Sequence, residues 1–87
     1  MKRRSGFVLE TVGGDTYAVA VTAEAAGVGS MVKLNPTAAT LFALLETETD
    51  TEALVAALME KYEVTKEVAE RDVAAFVAAL GEAKLLD

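Results

Sequence analysis

The spacing of hydrophobic positions changes once along the chain, close to Asn35. Before this point, FVLETV (7–12) and TYAVAVT (16–22) are rich in valine, threonine and aromatic residues, which favour β-strands. The GGD between them supplies residues that accept the positive φ angles of a tight turn. The two segments therefore predict a β-hairpin. A connector, AEAAGVGS (23–30), has little periodicity and room for one helical turn, and MVKL (31–34) predicts a third short strand at the edge of the sheet.

From Asn35 onward the hydrophobic spacing is helical and predicts three helices, over 36–46, 51–61 and 66–83. Asn35 is a favoured N-cap residue, because its side-chain oxygen accepts from an unpaired amide of the first turn. Pro36 fits the first helical position, where its missing N–H has no partner to lose. The change from strand to helix is thus expected at this dipeptide. The other predicted caps are Thr49 or Asp50 for the second helix and Thr65 for the third.

Each predicted helix carries an apolar stripe that needs a partner to bury it. These stripes, in chain order, are Leu41, Phe42, Leu44 and Leu45; Leu54, Val55, Leu58 and Tyr62; and Ala69, Val73, Phe76, Val77 and Leu80. Three short strands with three helices on one face predict a single α+β domain over residues 1–87. Its predicted architecture resembles a winged helix-turn-helix, with a three-stranded antiparallel sheet followed by three helices.

The third helix has a second stripe beside its core stripe, formed by Val68, Asp72, Ala75 and Ala79. Most of these side chains are small and apolar, as the wall of a shallow groove would require. Alanine is also the best helix former, so Ala75 and Ala79 are explained as well by helix propensity alone on a half-exposed surface. The pattern alone leaves both readings open.

The composition excludes several kinds of chemistry. The chain has 87 residues, 53% of them hydrophobic, with no cysteine and no histidine. Disulfides, thiolate and imidazole metal ligands and the commonest general base are therefore absent. No P-loop, catalytic pair or phosphopantetheine-type serine is visible, since neither Ser5 nor Ser30 lies in such a context. We expect no enzymatic activity and no cofactor.

The charge is unevenly distributed. The net charge of the whole chain is −6, but Lys2, Arg3 and Arg4 are three of its eight basic residues, so the remainder has five basic against 14 acidic residues, or −9. Such an acidic domain would repel nucleic acid. Residues 1–5 predict a flexible, solvated basic tail, as chain termini often are. They do not begin a signal peptide, because no apolar core follows them. With no segment long enough to span a bilayer, we expect a cytoplasmic protein without a membrane partner.

The order of these motifs resembles the PqqD family of small peptide chaperones over nearly the whole chain. The similarity is strongest at Leu34-Asn35-x-Thr37, Tyr62-x-Val64 and Asp72-Val73-x-x-Phe76. The resemblance implies a recognition element for ribosomally synthesised, modified peptides. Such a domain takes the leader segment of a precursor peptide as an extra strand and presents it to a modifying enzyme, often a radical SAM enzyme.

What the resemblance implies for this chain is a peptide site between the third strand and the third helix. The expected site residues are Met31, Val32, Lys33, Leu34, Val68, Arg71, Asp72, Ala75 and Ala79. An open strand edge and small-residue stripe agree with this reading. Lys33 is alternatively an ordinary guard against edge pairing, and the same edge could pair two copies, so that both a monomer and an edge-paired homodimer remain open.

Two other functions remain alternatives, a DNA-binding winged helix and a generic acidic interaction module. The sequence identifies neither the precursor peptide nor the enzyme. One departure from the family concerns the end of the third helix, where relatives often have a glycine two residues before the final leucines. Lys84 stands there in this chain, and the nearest glycine is Gly81, from which we expect the helix to fray.

Overall fold

A computed structural model describes residues 1–28 and 31–86. Gly29, Ser30 and Asp87 lie outside the described residues, and with them the end of the predicted 23–30 connector and the last residue of the predicted domain. The elements are β1 (Phe7–Val12), β2 (Asp15–Ala20), α1 (Ala23–Val28), β3 (Met31–Leu34), α2 (Pro36–Leu44), α3 (Thr51–Lys61) and α4 (Lys66–Glu82).

The predicted hairpin is confirmed, with small shifts at its ends. Gly13 and Gly14 have φ angles of 59° and 87° and form a two-residue turn that only glycine adopts readily at both positions. Asp15 already belongs to β2, which ends at Ala20 and not at Thr22. All three strands are antiparallel in the order β1-β2-β3, so β3 is an edge strand of this sheet, as the sequence predicts.

The connector contains a short helix, α1, which precedes β3. Thr22 caps it, because its Oγ1 accepts from the N–H of Ala25 at 3.1 Å. Ala25, within α1, is buried. The three predicted helices follow the sheet as expected, and α1 adds a fourth among the described residues.

The starts of the three longer helices lie where their capping residues predict them. Asn35 accepts from the N–H of Ala38 at 2.7 Å, and Asp50, the correct one of the two candidates, accepts from Ala53 at 2.8 Å. Thr65 accepts from Val68 at 3.2 Å. These bonds satisfy amide groups that no helical carbonyl can reach.

The helices pack on one face of the sheet and enclose a single core. The Phe7 and Phe42 rings meet edge to face, with centroids 6.5 Å apart. Leu44, which the sequence assigns to the α2 stripe, is 40% exposed, because its direction from the helix axis lies outside the arc that Leu41 and Leu45 share. Phe76 and Val77 are only partly buried. The buried apolar side chains are Phe7, Ala18, Ala25, Leu34, Leu41, Phe42, Leu45, Leu54, Val55, Leu58, Ala69, Val73, Leu80 and Leu85.

The N-terminal residues contact the rest of the fold, in contrast to the predicted flexible, solvated tail. The Arg3 guanidinium lies 4.6 Å from the centroid of the Phe42 ring and donates to the Phe42 carbonyl at 2.7 Å. The Arg3 N–H donates to the carbonyl of Leu45, and Arg3 forms an antiparallel bridge with Leu86. The ammonium of Met1 contacts Glu48. The positive charge of Arg3 is therefore used within the fold.

The end of α4 also differs from the sequence-based expectation. The helix continues through Gly81 to Glu82, and Lys84 follows with a φ of 59°. The Lys84 N–H donates to the Gly81 carbonyl at 3.2 Å, and the Leu85 N–H donates to the Leu80 carbonyl at 2.9 Å. This pair of bonds is a Schellman motif, which ends the helix without fraying it.

Candidate functional site

The backbone pattern of the hairpin determines which groups of β3 are free. In a two-residue hairpin the residues that flank the turn exchange backbone hydrogen bonds, and here these are Val12 and Asp15. At the other end of the hairpin the N–H of Val21 donates to the Gly6 carbonyl at 2.8 Å. As with Val12 and Asp15, an even-numbered residue before the turn is bonded to an odd-numbered residue after it. The odd-numbered residues of β2 thus direct their backbone groups toward β1.

The even-numbered residues of β2 must then face β3. Thr16 pairs with Leu34, and Ala18 pairs with Val32, so the N–H and C=O groups of these two β3 residues point toward β2. The backbone groups of Met31 and Lys33 consequently point away from the sheet. They offer two donors and two acceptors along the open edge of β3.

A groove of about 570 Å³ runs beside this edge, between β3, the first turns of α2 and the C-terminal part of α4. We call it the β3–α4 groove. Its lining is mostly aliphatic, and four of its 14 residues are alanines. The lining residues are Val32, Lys33, Leu34, Asn35, Thr37, Ala38, Leu41, Asp72, Ala75, Phe76, Ala79, Leu80, Ala83 and Leu85.

Six of the nine residues predicted for the site lie along this groove. They are Val32, Lys33, Leu34, Asp72, Ala75 and Ala79. Met31 is 53% exposed on the opposite face of the sheet, since its side chain alternates with that of Val32. Arg71 is exposed, and Val68 lies one turn before Asp72. Neither belongs to the lining.

Val68 falls outside the groove because the two walls differ in length. Four residues of β3 extend about 13 Å, whereas the 17 residues of α4 extend about 25 Å. The strand can therefore face only part of the helix. That part begins at Asp72 and ends near Ala83.

The site predicted from the sequence lacks the residues that form the floor and one wall of the groove. The missed lining residues are Asn35, Thr37, Ala38, Leu41, Phe76, Leu80, Ala83 and Leu85. Ala38 and Leu41 are three positions apart on one face of α2, so the small residues after Pro36 were the available signal. The contribution of Leu85 had no such signal, because it depends on the turn at Lys84.

A polar cluster fixes the first turns of α2 against the end of α3. The Thr40 hydroxyl donates to the Pro36 carbonyl at 3.1 Å and lies 3.1 Å from the Tyr62 hydroxyl. The Lys61 ammonium donates to the same threonine at 3.2 Å. Because Thr37 and Ala38 lie within these turns, the cluster holds one wall of the groove in place.

Two charged side chains border the groove. Asp72 is partly buried in the α4 wall and, among the residues that the structure describes, has no ion-pair partner. The Lys33 ammonium lies 3.7 Å from Asp15 Oδ1 on the outer face of the sheet, with 64% of its side chain exposed. Lys33 borders the groove, but its side chain follows the strand alternation onto the outer face, so the two charges lie on opposite sides of the strand edge.

The described parts of the chain contain no cluster of three acidic side chains that could hold a metal ion. Within residues 1–28 and 31–86, no helix combines the length and hydrophobicity that crossing a bilayer requires. The groove offers backbone hydrogen bonds, apolar contacts and one carboxylate. This arrangement is suited to binding an extended chain.

Comparison with known proteins gives two kinds of match. A family model described as coenzyme PQQ synthesis protein D (PqqD) matches residues 6–86. No curated protein matches the chain. The fold is similar to that of TbiB1 in complex with the TbiA(beta) leader peptide, with a TM-score of 0.76 and 24% identity, over 100% of this chain and 95% of that one. It is also similar to lasso peptide synthetase B1 complexed with the leader peptide, with a TM-score of 0.71 and 25% identity, over 97% and 93% of the two chains.

Proposed function

The chain belongs to the PqqD family, and from this premise we propose that it binds the leader segment of a ribosomally synthesised precursor peptide. The leader adds a strand to the open edge of β3 and lies in the β3–α4 groove. The bound leader is then presented to a modifying enzyme. The role is one of recognition and delivery, with no chemical step performed by this chain.

One observation carries the proposal. The backbone groups of Met31 and Lys33, which point away from β2, lie beside a largely apolar groove. Strand addition needs such an edge for affinity and side-chain pockets for selectivity. An open edge without such a function is normally a liability, because it invites aggregation.

The solved structures support the proposal to different degrees. The TbiB1 complex, at 24% identity, supports the fold alone. Lasso peptide synthetase B1, at 25% identity, is a protein complexed with a leader peptide and covers nearly the whole of this chain. A shared fold does not by itself give a shared ligand, so the β3 edge and groove remain the main argument.

The length of the groove indicates how much of a leader it can hold. From Asp72 to Ala83 the α4 wall rises on the order of 16 Å. An extended chain covers that length with about five residues. Two or three of them direct their side chains into the groove, where Leu34, Leu41 and Leu80 favour apolar groups.

We take the modifying enzyme to be a radical SAM enzyme, on the family resemblance alone. The chain can serve it as a monomer. A homodimer paired through β3 would cover the Met31 and Lys33 backbone groups, so it would have to separate before a leader binds.

Amide exchange measured by NMR tests the proposal. The probes are leader segments of precursor peptides encoded near the gene, with scrambled peptides of equal composition as controls. Binding should slow the exchange of the Met31 and Lys33 amides, which gain hydrogen bonds, more than that of Val32 and Leu34, which are already bonded to β2. Saturable binding that leaves the Met31 and Lys33 amides unprotected would exclude strand addition at this edge.

A further inference from the structure

The structure points to a charge pattern in the bound peptide that depends on residue parity. We infer that the leader carries a basic side chain at an even distance from its apolar anchors and an acidic side chain at an odd distance. This inference rests on the proposed function and specifies its ligand. It follows from the positions of Asp72 and Lys33 on opposite sides of the open edge.

The first step is the alternation of side chains in an added strand. A strand that pairs with the Met31 and Lys33 backbone groups continues the pleat of the sheet. Every second side chain then points into the β3–α4 groove, and the others join the outer face. This holds for both directions of the peptide, so the parity does not depend on its orientation.

The groove side accounts for the basic residue. The inward-facing side chains meet a lining that is apolar except at a few positions, of which Asp72 is the acidic one. Asp72 is a partly buried residue at the start of the groove-forming part of α4. A lysine or arginine among the inward side chains would pair with it in a site partly shielded from water, where ion pairs are stronger than on an open surface. All inward side chains share one parity, so this residue lies an even number of positions from the apolar anchors.

The outer face accounts for the acidic residue. Lys33 pairs with Tyr17 of β2, and Tyr17 pairs with Glu10 of β1, so these three side chains form one row across the sheet. An added strand would extend this row and place an outward side chain next to Lys33. Opposite charges favour such a cross-strand position. The existing contact of Lys33 with Asp15 is exposed and weak, so it competes little.

Selection of peptides against charge-reversed variants tests this parity. A library of short random peptides displayed on their own mRNA is selected against the parent chain, Lys33→Glu and Asp72→Lys. The parent should enrich peptides with alternating apolar residues, an acidic residue at an odd distance and a basic residue at an even distance. Lys33→Glu should reverse only the odd-distance charge, and Asp72→Lys only the even-distance charge.

The affinities of individual selected peptides measure how much each charge contributes to binding. For a peptide selected on the parent, changing its acidic residue to lysine should weaken binding to the parent on the order of threefold to tenfold. The same change should strengthen binding to Lys33→Glu by a similar factor. Glu10→Lys is the matched control, because it reverses a charge in the same row but two strands from the open edge. It should leave the selected pattern unchanged.

The outcomes distinguish this inference from the proposed function. In one outcome the selected peptides keep alternating apolar residues but show the same charge pattern on the parent, Lys33→Glu and Asp72→Lys. That result would overturn the inferred charge pattern and leave strand addition intact. The charge pattern is also overturned if Lys33→Glu alters an even-distance position. Selected peptides without apolar alternation, or no selected peptides, would overturn the proposed function together with the inference.

Discussion

The backbone N–H of Leu85 donates to the carbonyl of Leu80 at 2.9 Å. This bond ends α4 in a turn that contains a lysine, Lys84. Lys84, the residue between the helix cap and Leu85, has a φ of 59°, which is a left-handed conformation. A side chain with a Cβ atom is strained in this region, and glycine is not. Both leucines are buried and both line the β3–α4 groove, so the turn positions part of its floor.

Replacement of Lys84 by glycine should therefore stabilise the protein. We expect Lys84→Gly to raise the free energy of unfolding by about 0.5–1 kcal/mol, measured by urea denaturation. Lys84→Ala is the control, because it removes the lysine side chain and keeps the Cβ atom. An equal gain in Lys84→Ala would show that Cβ strain is not the cause.

Proline substitutions in β3 should separate binding from folding. Lys33→Pro removes an N–H that faces the open edge, so the fold should persist while affinity for a bound leader peptide falls about threefold to tenfold. Val32→Pro removes an N–H that bonds to β2 and should destabilise the sheet. Calorimetric titration and urea denaturation measure the two effects, with Lys33→Gln as a control for the lost charge. The reverse pattern would show that the parity assigned to β3 is wrong.

Leucine substitutions along α4 test where the peptide lies. Ala75→Leu and Ala79→Leu place bulk in the groove and should weaken leader binding on the order of tenfold or more. Ala74→Leu and Ala78→Leu are matched controls, since these alanines are exposed on the same helix outside the groove lining. All four variants should keep their unfolding free energy to within about 0.5 kcal/mol, because leucine forms helices nearly as well as alanine. Equal affinities in the four variants would place the peptide elsewhere.

The contact between Arg3 and Phe42 should contribute to the stability of the protein. Arg3→Ala removes the contact with the Phe42 ring and the bond to the Phe42 carbonyl, and should lower the unfolding free energy by about 1–2 kcal/mol. Lys2→Ala removes a neighbouring positive charge from an exposed position and should have little effect. Thermal and urea denaturation measure both variants. Equal destabilisation would indicate a general charge effect and not the Phe42 contact.

The features that the sequence predicted correctly depend on neighbouring residues. Asn35 and Pro36 define the start of α2 through one short-range bond and one fixed φ angle, and Gly13 and Gly14 define the hairpin turn by adopting positive φ angles. Such signals need no knowledge of the tertiary structure.

The features that it missed depend on distant contacts or on geometry. The basic residues at the start of the chain look solvated by composition, whereas Arg3 finds a partner in Phe42, far along the sequence. Val68 lies on the same stripe as Asp72, but a four-residue strand cannot face so long a helix. Lys84 occupies a conformation that its residue type disfavours. In each case a tertiary constraint overrides the local preference.

The bridge between Arg3 and Leu86 has a consequence for the kinetics of folding. It joins residues 83 positions apart (86 − 3), so forming it early would close a long loop and incur the entropy loss of that closure. We expect the hairpin and the α3–α4 pair, whose contacts are local, to organise first. Arg3→Ala should then speed unfolding in stopped-flow experiments and leave the refolding rate nearly unchanged. The Arg3–Leu86 bridge would form late in folding. It would therefore determine how long the native state lasts more than how quickly it forms.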